Sequence, residues 1–584
     1  MDNKEIAKIL YEISEYLAMD DVPFKPRAYE KAAINIENLE EDVTNIYKKE
    51  GLKGLLKIPT IGRGIAERIE ELIKTGKMKY YQDLKKKMPV KIDELTAVEG
   101  VGPKMIQKLY RNLGIKNLKD LEKAAKAGKI RYLEHFGEKT EQNILRGIEF
   151  LKNSGNRFVL GFIMPDVRRI EERIRELPGV KKAVVAGSIR RMKETIGDGD
   201  LLVTVSSLPR RQVGPKTAQK VMEFFVNMSE VMHIYSHGST RSSVRLKNGM
   251  DFDLRVVPEE SFGAALQYFT GNKDHNIALR KIAIKKGLKL NEYGVYRGRK
   301  QIAGRSEEEV YKILGLKWMA PELRENNGEI EASKKNKLPD IIGYNELRGD
   351  LQIQTDWTDG SNSIEEYAKE AMKLGLEYIL ITDHTRTLAM THGLDEKRLT
   401  RQGKEIDRIN RKLEVKGLKF KVLKGAEVNI LKDGRLDIKD EALHKLDVAA
   451  IAVHSGFKMS KHNMTERIIK GMKNPHADIL FHPTGRLINQ RPPYEVDVEK
   501  IIRVAKETKT VLEVNAYPNR LDLKDEYARI AKEAGVKLSI DSDAHNIFHL
   551  QFLEFGIAQA RRGWVEKKDV INAWPVEKML KMLK

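Results

Sequence analysis

The sequence predicts a multidomain α/β chain, and three features predict it. Up to about residue 150, apolar residues recur at helical spacing between glycine turns. From about 155 to 260 short β-rich runs appear, among them KKAVVAGS, DGDLLVTVSS and GMDFDLRVV. Beyond 340, apolar strands alternate with helical stretches, and the strands end in polar residues. The first region therefore reads as helical domains, the second and the segment after it as α+β, and the third as a β/α barrel with its chemistry at the strand C-terminal ends.

Size and composition bound the function. The chain has 584 residues, enough for about three to five domains at roughly 100–200 residues each. Hydrophobic residues are 41% and charged residues 33%, too apolar for a disordered chain and too charged for a membrane protein. No apolar run approaches the roughly 20 residues that span a bilayer. The first residues, MDNKEIAKILYEISEYL, are acidic and amphipathic rather than secretory, so a cytoplasmic location is expected. With no cysteine, thiolate metal sites, iron–sulfur clusters and a cysteine nucleophile are excluded. Net charge is +21 and uneven. Residues 1–50 carry 7 basic and 12 acidic residues, whereas residues 51–150 carry 22 and 13. A basic stretch of this kind suits a polyanion, because each neutralised phosphate releases a counterion.

Within that basic stretch two segments share one shape, an apolar residue, a Gly-x-Gly turn and a helix: Ile58-Pro-Thr-Ile-Gly62-Arg-Gly64 and Val98-Glu-Gly100-Val-Gly102-Pro103-Lys104. A weaker third copy is Phe136-Gly137-Glu-Lys139-Thr. The glycines are expected to adopt positive φ and to turn backbone N–H groups toward a phosphate, which grips DNA without reading its sequence. These segments resemble helix–hairpin–helix motifs, which implies DNA contacts at Gly62, Gly64, Gly100, Gly102 and Lys104.

In the second region Asp198 and Asp200 stand two apart at the start of an apolar strand, so both carboxylates share a face. Adjacent carboxylates repel unless a cation lies between them. Met250-Asp251-Phe-Asp253 supplies a third on another strand, and three carboxylates can bind two metals. Just upstream, the Gly187-Ser188 turn offers N–H and O–H donors to a triphosphate, and Arg191 a bidentate cation.

This GS…GDGD…DFD pattern resembles the nucleotidyltransferase superfamily, and within it the family X DNA polymerases. Tyr268-Phe269-Thr-Gly271-Asn272…Asn276…Arg280 looks like the nucleotide-binding thumb of that family. The resemblance implies that Asp198 and Asp200 bind both metals and that Asp253 joins the catalytic one and assists deprotonation of the primer 3′-hydroxyl. Gly187, Ser188, Arg191 and Gly197 would hold the triphosphate, with Arg157 a weaker candidate. Tyr268, Phe269 and Gly271 would shape the sugar pocket, and Asn276 and Arg280 would face the base and the template. Gly199 departs from the family, which has a bulky apolar residue there, so local flexibility is expected. The N-terminal helices resemble the family's 5′-phosphate-binding domain. Where lyase-active members carry an imine-forming lysine, this chain has Arg68, which stays protonated and is a poor nucleophile. Weak or absent lyase activity is expected, with Lys31 the alternative nucleophile to suspect.

After residue 340, five strand ends carry metal-ligand residues: Asp383-His384, Glu427, His454, His482, and Asp543 with His545. His with carboxylates suits Zn or Mn. This part resembles the PHP domain, a distorted β/α barrel whose trinuclear metal centre hydrolyses phosphoesters. The resemblance implies a ligand set of Asp359, His384, Glu427, His454, His482, Asp543 and His545. The family's opening His-x-His is replaced by Gln352-Ile-Gln354. A neutral amide oxygen is a weak ligand, so one metal is expected to bind loosely or be absent.

The expected organisation is a helical lyase-like domain over 1–85, fingers over 86–153, a palm over 154–260, a thumb over 261–318, a linker over 319–340 and a PHP domain over 341–584. The expected activity is a DNA polymerase that fills short gaps in base excision repair by two-metal nucleotidyl transfer. Mg²⁺ or Mn²⁺ is expected in the palm and Zn²⁺ or Mn²⁺ in the barrel, which would add 3′–5′ exonuclease or abasic-site cleavage in weakened form. Gapped or primed DNA and deoxynucleoside triphosphates are the expected partners, with no membrane and a monomeric chain. The alternatives are a template-independent nucleotidyltransferase, a chain whose main activity is phosphoester hydrolysis, and a non-catalytic DNA-binding scaffold.

Overall fold

The computed structural model describes residues 3–583 apart from 21, 38, 40, 99, 100, 135, 154–156, 206–214, 389 and 390. The chain divides into two compact units, Met1–Gly155 with Leu487–Pro492, and Asn156–Arg486 with Pro493–Lys584. No helix among the described residues is long and apolar enough to cross a membrane.

The first unit is helical and has two apolar cores. One gathers Ile6, Leu10 and Ile13 of the helix Asn3–Met19 with Ile65, Ile69 and Leu72 of the helix Arg63–Thr75. The other gathers Leu95, Ile106, Leu109, Leu121 and Ile144. Their helical spacing is the reason these stretches coil with one face inward. Three turns in this unit close in the same way. The N–H groups of Ile61, Val101 and Phe136 donate to the carbonyls of Ile58, Val98 and Leu133 at 3.2, 3.0 and 2.9 Å. Gly62, Gly102 and Gly137 then accept the first bonds of the helices that follow.

The second unit begins with a five-stranded sheet in the order Val180–Val185, Asp198–Val205, Asp251–Val256, Arg241–Leu246, Val231–His237. The Asp198 and Asp251 strands run parallel and the other pairs antiparallel. Phe252 and Phe225 of the helix Pro215–Val226 pack on the covered face, with ring centroids 6.2 Å apart. Helices Phe262–Thr270 and Lys273–Lys285, a three-stranded antiparallel ribbon and the helix Glu307–Ile313 then surround a core of their own.

Residues 319–340, expected as a linker, are folded. They form a short 3-10 turn, Pro321–Leu323, and a helix, Glu329–Lys334. Their charges pair inward. Arg324, fully buried, binds Glu307 through both terminal nitrogens (2.6 and 3.0 Å), and buried Glu329 lies 2.6 Å from His275 Nδ1. A polar composition reads as solvated in the sequence, but mixed signs at matching positions neutralise each other inside.

The remainder is a barrel of seven parallel strands in sequence order, from Gly349–Ile353 to Leu538–Asp541. The first strand and the segment after the last approach closure: Gln354 N–H donates to the Ala544 carbonyl at 2.9 Å, and Ala544 N–H to the Gln352 carbonyl at 3.2 Å. Val, Ile, Leu and Ala from every strand fill its core, as fully buried parallel strands require. Ion pairs tie this barrel to the sheet and the helices before it: Arg168–Glu554 (2.6 Å), Arg486–Glu194 (2.8 Å) and Arg561–Glu322 (2.7 Å). Gly161 lies so close to the barrel that a β-carbon would stand 2.6 Å from Pro518.

Candidate active sites

In the five-stranded sheet, pairing register sets the first site. Asp200 stands opposite Asp253 and Asp198 opposite Asp251 on adjacent parallel strands. Burial first, then the charges of Asp198 and Asp253, pushes the Asp200 carboxyl up to about 6. Such a carboxylate gains most from a cation at its side. Gly187, at φ +65°, lies against this group, and a β-carbon there would stand 3.2 Å from Asp200 Oδ2. Asp253 receives Arg241 at 2.9 Å, with Arg255 at 3.6 Å. Arg241 escaped the sequence analysis because nothing in RSSVRLKNGMDFD reveals which neighbour strand will face the aspartates. Asp198 and Asp253 are near enough to raise Asp200, and three carboxylates so placed are a donor set of the kind that divalent cations take.

Gly199 turns out to be compensated. Its register partner is Phe252, and a β-carbon on Gly199 would lie 2.4 Å from that ring. The bulk that the family carries on one strand is carried here on the next, so the loose segment expected is instead filled.

Around this site, Arg157 is anchored on Thr195 through Nε and Nη2 (3.0 and 2.6 Å) and passes Gly197, where a β-carbon would be 3.5 Å from its Nη1. Ser188 lies at the start of the short helix Gly187–Arg190. Arg190 is committed to Glu307 and Thr270. Arg191 donates to the Thr270 carbonyl and, through Nε, to Glu325 at 3.0 Å. Tyr268 and Phe269 meet edge to face, with Arg280 over the first ring (5.9 Å) and Arg255 over the second (4.7 Å). Gly271, at φ +67°, borders Arg191 Nη1. Asn276 is buried: its amide donates to the Tyr268 carbonyl and its oxygen accepts from Gln267, both at 2.7 Å. It therefore braces the Tyr268–Gly271 turn, and a base contact would replace one of those bonds.

In the helical unit the hairpin glycines serve differently from expectation. Gly62 and Gly102 have φ of −77° and −87°, ordinary extended backbone, and the positive φ falls on Thr60. A β-carbon on Gly62, Gly64, Gly102 or Gly137 meets nothing within 4 Å. What glycine provides here is bare backbone for a close approach. Lys104 is exposed beside Gly102, and Gly100 lies outside the described residues. Arg68 lies 3.7 Å over the Tyr80 ring and 5.6 Å from that of Tyr29, a cation–π arrangement rather than a free nucleophile.

The barrel holds the second site, at the strand C-terminal ends. Glu427 is its hub. Oε1 faces the Nε2 atoms of His454 and His482, each at 2.8 Å, and Oε2 lies 3.4 Å from His384 Nδ1. On the other side of His384, Asp359 Oδ2 is 3.6 Å from its Nε2 and 3.7 Å from His545 Nε2. Donor atoms about 3.3 Å apart are what a tetrahedral ion with bonds of roughly 2.0–2.1 Å imposes. Asp359 Oδ1 is buried without a hydrogen-bond partner, as is His482 Nδ1. Two ligand sets therefore fit metal and share His384: Asp359, His384 and His545, and His384, Glu427 and His454, with His482 Nε2 also 2.8 Å from Glu427 Oε1.

The third corner differs. Gln354 and Gln352 donate their amides to Glu427 Oε2 at 2.8 and 3.3 Å. Gln352 Oε1 accepts from Asn515 at 2.9 Å, and Asp543 Oδ2 is bound by Arg520 Nε at 2.9 Å and by Asn515 at 3.2 Å. Gln354 Oε1 is left without a partner, but Gln352 Oε1, Glu427 Oε2 and Asp543 Oδ2 are taken by hydrogen bonds and one guanidinium, so this corner fits metal less well than the other two. Arg520, Asn515 and Asn429 were missed by sequence reasoning. Asn429 Oδ1 accepts from His454 Nδ1–H at 2.5 Å, and its amide donates to Asp437 and Thr385, which fixes the ring. The run VNAYPNR holds two of the three, but only their place at a strand end signals a role. A cavity of about 420 Å³ opens beside His454 and Asn429, with Leu388, Ile430 and Lys432 in its wall.

The comparisons with known proteins match this layout. Helix-hairpin-helix families match residues 1–78 and 92–149, the DNA polymerase beta thumb matches 265–325, and the PHP domain matches 350–538. The chain is 36% identical over 578 residues to the DNA polymerase/3′-5′ exonuclease PolX of Bacillus subtilis, covering 98% of each protein. The chain belongs to the PolX family of DNA polymerases. Its barrel alone is similar to smaller proteins: 31% identity over 222 residues with a probable phosphatase of Thermoanaerobacter, 84% of whose length is covered, and 32% over 196 residues with one of Caldicellulosiruptor bescii. For this PolX chain, a polymerase fused to a PHP domain, the scaffold alternative loses its ground.

Proposed function

We propose that the chain fills short gaps in DNA during base excision repair, adding deoxynucleotides to a primer end. The observation that carries this reading is the register that sets Asp200 against Asp253 beside the glycine turn at Gly187. Mg²⁺ or Mn²⁺ held by Asp198, Asp200 and Asp253 would supply Lewis acidity to the 3′-hydroxyl and to the phosphates. The chain's own groups do the rest. Asp253, steadied by Arg241, accepts the proton of the primer 3′-hydroxyl, and Ser188 with the Gly187 turn donates to the triphosphate. Arg191 neutralises it, and Tyr268 and Phe269 bound the sugar. The hairpins at Gly62 and Gly102 hold the phosphate backbone on either side of the gap.

The barrel adds a metal-dependent 3′–5′ exonuclease, with Zn²⁺ or Mn²⁺ on the two fitting ligand sets. Asn429 keeps His454 oriented, and the cavity beside them receives the nucleotide to be removed. Cytoplasmic action on gapped or primed DNA follows from these activities.

Extension of a primer across a one-nucleotide gap with a 5′-phosphate tests both sites, in Mg²⁺ and in Mn²⁺. Templated addition should vanish with Asp253→Ala and persist with His454→Ala, while primer shortening should behave in the opposite way. Tight binding of gapped DNA with no change to the primer under any condition would overturn the enzymatic reading.

A further inference from the structure

Arg191 is held by a chain of charges that ends in the barrel. Its Nε donates to Glu325 Oε1 at 3.0 Å and its Nη1 to the Thr270 carbonyl, while Nη2 has no bond among the described residues. Glu325 is held from three further sides. Arg562 Nη1 reaches Oε1 at 3.1 Å, Asn272 Nδ2 reaches Oε2 at 2.9 Å, and Lys193 stands at 3.9 Å. Arg562 belongs to the barrel helix Leu553–Arg562, and its side chain is only 3% exposed. It also donates to the Arg191 carbonyl at 3.2 Å and to Asp525 of the barrel at 2.6 Å.

Two consequences follow from this geometry. The first is orientation: a guanidinium tied at Nε and Nη1 presents its remaining edge in one direction, which spares a triphosphate the cost of ordering it. The second is charge. Arg191, Arg562 and Lys193 face Glu325 and Asp525, leaving one positive charge in excess, and without Arg562 the group is neutral. We propose that Arg562 of the PHP barrel is a positioning residue for nucleotide binding in the palm, acting through Glu325 on Arg191. It rests on the reading of Arg191 as a triphosphate contact.

Single-nucleotide insertion on gapped DNA by the full chain, with the deoxynucleotide concentration varied, tests this. Arg562→Met should raise the KM for the nucleotide roughly fivefold or more, the lower end of coupling between distinct sites, while kcat changes less. Arg562→Lys restores the charge without the fork and should fall between. Arg168→Ala breaks a different ion pair, between the helix Leu160–Arg175 and the barrel, and should leave KM at the wild-type value. The inference is overturned if Arg562→Met leaves KM unchanged while Arg191→Ala raises it, or if Arg168→Ala raises KM as much as Arg562→Met. A wild-type KM in Arg191→Ala would instead remove the reading of Arg191, and the inference with it. Should the methionine variant not fold, an Arg562→Lys protein with wild-type KM overturns the proposal on its own.

Discussion

Placing alanine at Gly199 perturbs the palm at its most crowded point. The new β-carbon would meet two Phe252 ring carbons at 2.4 Å and Ile189 Cδ1 at 3.3 Å. Ordinary carbon contacts lie near 3.5–4.0 Å, so ring and strand must part by about 1 Å. Phe252 has no room to yield, being fully buried against Phe225. Overpacking of this size costs about 1–3 kcal/mol. The flanking residues are Asp198 and Asp200, so the displacement reaches the carboxylates proposed to hold metal, where a 1 Å error can cost about a hundredfold in rate. Phe252→Ala alone should cost about 3–5 kcal/mol through its cavity. Gly199→Leu with Phe252→Ala returns the bulk to the other strand and should cost less than the two single changes added. Urea unfolding followed by circular dichroism, with the single-turnover insertion rate on gapped DNA, reads both effects. A Gly199→Ala protein as stable and as fast as the wild type would refute the reasoning, as would strict additivity in the double variant.

Metal analysis of the purified full chain should find two tightly held ions in the barrel, and Gln352→His with Gln354→His should add a third. Three ions in the unaltered protein would reject the closed corner. Gly102→Val should weaken binding to gapped DNA several-fold, because its side chain projects into open space at the backbone contact, while stability changes by no more than about 0.5 kcal/mol. Equal affinity in a filter-binding titration would show that the hairpin does not touch the phosphates. Burial raises the carboxyls of Glu322, Glu325 and Asp525, but Arg561 outweighs it at Glu322, and Arg562 with Lys193 at the other two, so all three are held below their usual range. Depressed values stabilise the fold above the unfolded pKa of about 4, and that stability is lost as pH falls through the folded values. The melting temperature should therefore hold from pH 7 to about pH 5 and fall below about pH 4, and a curve that stays flat to pH 2.5 would contradict the pairing.

Much of this was legible because local pattern and function coincide. Asp198 and Asp200 are two apart on a strand, so period two alone places them together, and the barrel ligands sit where apolar strands stop. What failed has a common cause. The positive φ assigned to Gly62 and Gly102, the linker drawn over 319–340 and the flexibility expected at Gly199 each depend on what lies across from a residue, which one strand or turn does not state. Arg324 looks solvated until Glu307 is brought beside it, and Gly199 looks loose until Phe252 is its neighbour. Arg241, Arg520 and Arg562 were missed for the same reason: an arginine shows its partner only after the chain has folded.

The charged clasp of Arg168, Arg486, Arg561 and Arg562 bears on how one protein can both write and erase a strand. A domain that swung on a tether could carry its cutting centre to a misplaced terminus. Here the stretch between palm and barrel is folded and sewn down at both margins, and the two centres belong to one compact unit. With the proposed exonuclease, removing a 3′ end would be a journey for the DNA: a frayed end would have to peel from its template and cross between the centres, or leave and return. The length of single strand freed by fraying, rather than any motion of the protein, would set which errors are removed.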